Sequence, residues 1–368
     1  MPGVSAFDAD VVVVGGGPVG LAAAIGARLA GLSVIVVEPR VAPVQKACGE
    51  GLMPAAVDEL RRLGVAVAGH PIAGITYRDA RRSVSHRFGG EAGRGVQRVD
   101  LSGLLTARAE QLGVLFRVGR AETLVQDARS ITLGLTGSST LRARWLLGSD
   151  GLHSTVRTLA GLDHAAIPSP AARRYGLRQH FHIAPWSDFV EVYWSPGFEV
   201  YVTPVGDRMI GVAMLGPRGL DFAEAVRSVP ALAAVNDLQR FAADTLQGAG
   251  SLRQRVTRHS EGRVLLVGDA SGYIDALTGE GLRIGFAQAA AAVAAIVAEQ
   301  GEADSRAAES AQTVGAAYER GWRRVSGPAN RLTTALLLAS RSPLRASIVP
   351  LAVRVPRLFG AAVDRLAR

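Results

Sequence analysis

Residues Val11 to Ala24, VVVVGGGPVGLAAA, constrain this chain more than any other stretch. An apolar run ends in G-x-G-x-x-G at Gly15, Gly17 and Gly20, and an Ala-rich segment of helical character follows. Strand, tight turn and helix in that order form the first half of a dinucleotide-binding βαβ unit. Gly15 permits the turn, Gly17 lets backbone approach a pyrophosphate, and Gly20 lets the helix pack closely. Pro18 and Val19 open the helix, whose free N–H groups and positive dipole end favour phosphate. Gly31 stops the helix, Ser33 to Val37 supplies the second strand, and Glu38 ends it 18 residues after Gly20. An acid there bonds a ribose diol, so the adenosine expected carries no 2′-phosphate. Pro39 and Arg40 follow and belong to the same candidate surface.

The chain has 368 residues, 48% of them hydrophobic and 20% charged, enough for two or three domains with sizeable cores. Its first ten residues lack a basic patch and a long apolar core and do not read as a secretory signal, so a cytoplasmic location is expected. The uncharged stretches Val11 to Ala27 and Ile284 to Ala298 fall short of the ~20 apolar residues of a membrane span. Cys48 is the one cysteine, which rules out an intramolecular disulfide and fits a reducing compartment. No metal site is expected, because His residues are scattered and no second Cys exists. The net charge of +9 does not point to nucleic acid, since 5% aromatic content shows no interleaving of basic and stacking residues.

The fold class expected is α/β (α+β overall): a Rossmann-type cofactor-binding domain, an antiparallel-sheet substrate domain and a C-terminal helical segment. Residues 1–70, 96–165 and 256–300 are assigned to the first, 71–95 and 166–255 to the second, and 301–368 to the last. Helices are predicted over Glu50 to Leu63 and Val99 to Gln111. Two-residue alternation predicts strands at Tyr175 to Ile183, Val190 to Trp194, Phe198 to Thr203 and Met209 to Met214. Short helices interrupted at Pro343, Pro350 and Pro356 are expected to pack on the cofactor domain.

NAD and FAD both fit the βαβ unit, and two later motifs separate them. Gly148-Ser149-Asp150-Gly151-Leu152-His153-Ser154-Thr155-Val156-Arg157 resembles the Asp-Gly motif of FAD-dependent monooxygenases related to p-hydroxybenzoate hydroxylase. RVLLVGDASGYIDALTGEGLRIG, Arg263 to Gly285, resembles their Gly-Asp motif at Gly268 and Asp269. The resemblance implies FAD as cofactor, with Asp269 on the ribityl chain and Arg98 near the ribityl-phosphate portion. It also implies that Gly279, Glu280, Gly281 and Leu282 present a helix start to the flavin pyrimidine edge. Asp269 has a plainer reading as a helix cap. In those hydroxylases the Gly-Asp motif continues through Ala-His and a Pro to Gly-Gln-Gly, whereas this chain has Ser271-Gly272, Ala276 and Gly279-Glu280-Gly281. That version, and Lys46-Ala47-Cys48-Gly49-Glu50-Gly51-Leu52, look like the geranylgeranyl reductases. Lys46 is the single Lys of the chain, so Lys46, Cys48 and Gly49 join the candidate cofactor residues.

The catalytic candidates are Cys48 and His180, the latter because alternation puts Arg178, His180 and His182 on one strand face, where an imidazole can serve as acid or base. A lone Cys also reads as a small buried apolar residue, and such a His as one satisfied by its neighbours. Phe198 to Pro204 lacks the Trp-x-Trp-x-Ile-Pro signature of flavin-dependent tryptophan halogenases and the aromatic set of the geranylgeranyl reductases. No second G-x-G-x-x-G follows a strand, so NAD(P)H is expected to dock transiently, or an external electron-donor protein to supply electrons. The first functional reading is a monooxygenase acting on an aromatic, polyketide-like or other hydrophobic small molecule through a flavin C4a-hydroperoxide. The second is a flavin-dependent alkene reductase acting on a lipid or isoprenoid, and the third a non-enzymatic binding module. Residues 331 to 368 carry seven Arg and one Asp among apolar residues, which also suits weak contact with an anionic membrane surface.

Overall fold

A computed structural model describes residues 7–40, 46–163, 173–233, 238–299 and 307–367; the expected domain limits near 165 and 300 lie outside them. The valine run forms the strand Ala9–Val14 inside an eight-stranded sheet. The strand order runs Ser260–Glu261, Val264–Leu266, Thr140–Gly148, Ala9–Val14, Val34–Glu38, Leu115–Val118, and all pairs but the first are parallel. Val11 and Val13 point to one face, with Leu21, Ile25 and Phe286; Val12 and Val14 point to the other, with Ile131 and Leu133. Burial on both faces explains why these strands read as continuous apolar runs. Each such side chain contributes roughly 1.5–3 kcal/mol.

Pro18 starts the helix Pro18–Leu29, which packs against the helices Arg98–Gln111 and Gly281–Glu299. The helix Gly281–Glu299 is long and apolar enough to cross a membrane, but it lies in the core between Pro18–Leu29 and the long helix Ala307–Ser340. Tyr318, from that long helix, is buried and donates its hydroxyl to the carbonyl of Leu266.

A second sheet of seven strands runs in the order Gln247–Gly250, Tyr175–Phe181, Met209–Gly216, Phe198–Gly206, Phe189–Ser195, Gly74–Arg78, Ser83–Arg87. It is antiparallel except for the parallel pair Phe189–Ser195 and Gly74–Arg78. A three-stranded sheet of Gly51–Leu52, Gly93–Gly95 and His70–Ile72 stands beside them.

Two expectations need correction. The helix predicted from Glu50 begins at Pro54, because Glu50 has φ 58° and Gly51–Leu52 pair as a strand with Gly93–Gly95. The C-terminal helices Ile348–Arg354 and Pro356–Ala367 pack on the second sheet rather than on the parallel one. Val349, Phe359 and Val363 bury against Tyr77 and Trp194, and His86 Nε2 lies 2.9 Å from Asp364 Oδ1. The sheet's outer face needed an apolar cover, and these short helices supply it.

Candidate active site

A cavity of about 660 Å³ lies where the carboxyl ends of the parallel strands face the second sheet. Open α/β sheets bind ligands at that edge. Gly15, Gly17, Pro18, Val19, Glu38, Pro39, Arg40, Lys46, Cys48, Gly49, Arg98, Asp150, Gly151, Gly268, Asp269, Gly279, Gly281 and Leu282 all line it. Gly20, Glu280 and His180 do not. Gly20 works from behind: a Cβ there would stand 1.9 Å from the Gly15 carbonyl oxygen and 2.4 Å from Ser149 Oγ. Glu280 is buried and pairs with Arg283; burial pushes its carboxyl up, against the charge of Arg283.

At the nucleotide end, the Gly16 N–H donates to Glu38 Oε2 at 2.8 Å, and Arg40 Nε donates to Glu38 Oε1 at 2.7 Å. The helix Pro18–Leu29 has no side-chain cap, so its first N–H groups are available to a ligand. Further along, Lys46 Nζ lies 3.3 Å from Asp269 Oδ2 and 3.6 Å from the point a Cβ on Gly151 would occupy. The single Lys thus sits where the Asp-Gly and Gly-Asp motifs meet. Asp269 makes no helix cap and holds Lys46 instead. Asp150 accepts from Ser154 Oγ at 2.5 Å and from the Val156 N–H at 3.0 Å, so its carboxylate is taken up in starting the helix Thr155–Leu159. Buried Arg157 reaches the carbonyls of Leu152 and Ala270, both at 3.2 Å, and binds the two motifs together.

The second sheet supplies the apolar wall: Leu177, Val190, Tyr201, Met214 and Leu215, with Leu252, Tyr273 and Ala276 beside them. Burial pushes the phenols of Tyr201 and Tyr273 well above their ordinary value, so both stay neutral. Tyr201 donates to the Leu277 carbonyl at 3.1 Å. Behind this wall, Arg174, Glu199, Asp275 and Arg345 form a buried ion network in which Glu199 is 0% exposed. Burial raises the Asp275 carboxyl, opposed by Arg174.

Of the catalytic candidates, Cys48 lines the cavity, and its Sγ accepts the Glu50 N–H at 3.4 Å. His180 stands one residue back: its Nε2 is 2.5 Å from Glu50 Oε2 and its Nδ1 is 2.9 Å from Asp244 Oδ2. Arg178 lines the cavity, while His182 falls past the strand end and is exposed. From the residues alone, Glu50 is one member of the Lys46 to Leu52 segment and Arg157 one member of the Asp-Gly motif. An acid flanked by two glycines was the available signal for Glu50, but its partners are far away in the chain.

Residues 8–321 match a protein family described as an FAD binding domain. The chain belongs to that family. Among curated relatives of this FAD-binding protein, menaquinone reductase of Mycobacterium tuberculosis is 30% identical over 310 residues, 76% of this chain and 74% of that protein. Rifampicin monooxygenase of Streptomyces venezuelae is 30% identical over 308 residues, and this chain spans 62% of its length. The solved structure of OxyS, an anhydrotetracycline hydroxylase from Streptomyces rimosus, aligns with TM-score 0.73 and 24% identity over 98% of this chain and 75% of that one. The family of this FAD-binding chain thus takes in flavoproteins named as a reductase and as a monooxygenase.

The residues fit the cofactor. Arg98 opens the helix Arg98–Gln111, its Nη2 is 3.7 Å from where a Cβ on Gly17 would stand, and its Nε is buried without a hydrogen-bond partner among the described residues. A buried guanidinium nitrogen left open beside an uncapped helix start suits an anionic phosphate. In this FAD-binding protein Gly279, Gly281 and Leu282, at the start of the helix Gly281–Glu299, also line the cavity.

Proposed function

We propose that this protein hydroxylates a hydrophobic, aromatic or polyketide-like small molecule, using NAD(P)H that docks transiently or an external electron-donor protein. The observation that carries this reading is the cavity, continuous from the glycine fingerprint to an apolar wall of the second sheet. FAD, when bound, supplies the two electrons with which dioxygen is split between product and water. The chain's own part is to hold it and the substrate. Gly15, Gly17 and Glu38 take the adenosine and pyrophosphate, Lys46, Arg98 and Asp269 the linking chain, and the Gly279 to Leu282 backbone the ring edge. Leu177, Val190, Met214 and Leu215 take the substrate and keep water out. Cys48 lines the junction of these two parts.

A second reading, flavin-dependent reduction of a lipid or isoprenoid, has the 30% identity to menaquinone reductase of Mycobacterium tuberculosis in its favour. One experiment decides between them. The purified flavin-loaded protein is reduced without oxygen, then mixed with oxygen and candidate aromatic or isoprenoid compounds. Oxygen uptake with a product heavier by one oxygen atom supports hydroxylation; a hydrogenated product without oxygen uptake overturns it.

The C-terminal segment fits weak contact with an anionic membrane surface. Leu338, Leu344, Leu351, Val355 and Leu358 are exposed among the exposed Arg341, Arg354 and Arg357. Apolar residues interleaved with Arg match a bilayer interface. Co-sedimentation with acidic but not neutral liposomes, lost in L344S/L351S/L358S, is expected; no sedimentation of the intact protein overturns it. A reducing, cytoplasmic setting accords with the single Cys.

A further inference from the structure

Glu50, His180 and Asp244 form an unbroken chain of hydrogen bonds that starts in the cavity. Glu50 lines the cavity and is 3% exposed, with a left-handed φ of 58°. A non-glycine residue is held there only when its surroundings dictate it. What dictates it is visible. Glu50 Oε1 accepts the Arg98 N–H at 2.8 Å and lies 3.8 Å from Arg178 Nη2, while Oε2 is 2.5 Å from His180 Nε2. On the other side of the ring, Asp244 Oδ2 is 2.9 Å from Nδ1, and Asp244 Oδ1 accepts the His180 N–H at 2.9 Å. Side-chain exposure rises along the chain, from 1% at Glu50 to 3% at His180 and 19% at Asp244.

The charged groups facing the ring are Glu50, Asp244 and Arg178, whose Nη1 is 2.8 Å from Nδ1. Burial opposes a charge on His180, but the hydrogen bond and charge of Glu50 outweigh it and hold the imidazole above its ordinary value, with Arg178 opposing. Burial likewise works against the Asp244 carboxylate, yet the hydrogen bonds from His180 bring it below the usual range.

We propose that Glu50, His180 and Asp244 are a proton relay between solvent and the cavity, with Glu50 the member that meets the reacting molecule. Hydroxylation with NAD(P)H consumes one proton per turnover: substrate C–H, dioxygen, NAD(P)H and a proton give the alcohol or phenol, water and NAD(P)+. A proton enters at Asp244, is taken at Nδ1, leaves from Nε2 to Glu50, and passes into the cavity. This leaves the neutral ring with its proton on Nδ1; it resets when the ring swings toward solvent and exchanges tautomer with water, Nδ1 losing one proton as Nε2 gains another, with no net change in protons. The relay rests on the cavity being the reaction chamber proposed above.

D244N tests it, because the change cuts the relay at its solvent end and leaves Glu50 in place. In flavin-loaded protein we expect unchanged flavin content and KM, a kcat lowered on the order of a hundredfold, a larger solvent deuterium isotope effect, and partial rescue by formate in the buffer. Wild-type kcat in D244N, or a loss that formate does not restore, overturns the relay and leaves an ion cluster that clamps residues 48–52 to the sheet. The His180 ring protons report on the relay without turnover. Far-downfield ring-proton resonances from the bonds to Glu50 and Asp244 are expected in the wild type, the Nδ1 signal moving upfield in D244N, whose amide oxygen is a weaker acceptor, and the Nε2 signal exchanging more slowly with deuterated water. Their absence in the wild type, or unchanged exchange in D244N, is equally fatal. A wild type that forms no oxygenated product refutes the hydroxylation and not the relay, which the exchange rates then decide.

Discussion

The two walls of the cavity are built on opposite plans. The nucleotide side is built around backbone: Gly15, Gly17 and Gly20 bring main chain and helix start together, with the side chains of Glu38, Arg40 and Arg98 around them. The sheet side is made of side chains, with charges buried where apolar residues would fit. Glu199 lies between Arg174 and Arg345, Glu191 meets Arg78 at 2.9 Å, and Glu50 meets His180 and Arg178. The first plan is local in sequence and tolerates almost no added atom. The second joins distant segments and tolerates no missing partner, since a buried charge left alone costs several kcal/mol.

That contrast can be broken or sharpened by substitution. The largest effect is expected at the sheet wall, where R174M strips Glu199 and Asp275 of a shared partner; a loss of about 3–5 kcal/mol is expected in denaturant unfolding. Replacing Arg174, Glu199 and Arg345 together by apolar residues of similar size should recover much of it. Next comes G20A on the other wall. Its Cβ cannot coexist with the Gly15 carbonyl, so overpacking of about 1–3 kcal/mol is expected, together with flavin lost on gel filtration. A stable G20A that keeps its flavin would mean the glycine wall is less rigid than described. Third, K46M removes the charge beside Asp269 and should weaken FAD binding roughly tenfold, read by flavin fluorescence; K46R should restore little of it, because a planar fork replaces a compact point charge.

The smallest effect concerns pH. Because His180 has a raised value in the folded protein, its contribution to stability is complete below its unfolded value near 6.5 and fades as pH rises through the folded value. The melting temperature should therefore drift downward over that window, and H180Q should flatten the drift. An unchanged slope in H180Q would remove His180 from the stability of the sheet wall.

The same contrast explains what could be seen from the residues alone. Gly15, Gly17, Gly20 and Glu38 are readable because strand, turn and acid follow one another within thirty residues. Four strands of the second sheet are legible from alternation, with ends shifted by up to three residues. Glu50 was not: its role depends on His180, 130 positions away, and on a φ that no propensity anticipates. The C-terminal helices are expected on the cofactor domain and lie on the second sheet, because their apolar faces say only that something is covered. Arg345, which donates to the carbonyls of Ser195 and Phe198 and to Glu199, settles which sheet that is.

The pairing of Lys46 with Asp269 has a practical consequence. Since no other lysine exists in the chain, an amine-directed reagent has only this side chain and the amino terminus to modify. Acylation of a peptide carrying Lys46, followed by mass spectrometry with and without added flavin, becomes a one-residue gauge of how full the site is. Protection should rise in step with bound cofactor, giving an occupancy measurement that needs neither substrate nor turnover.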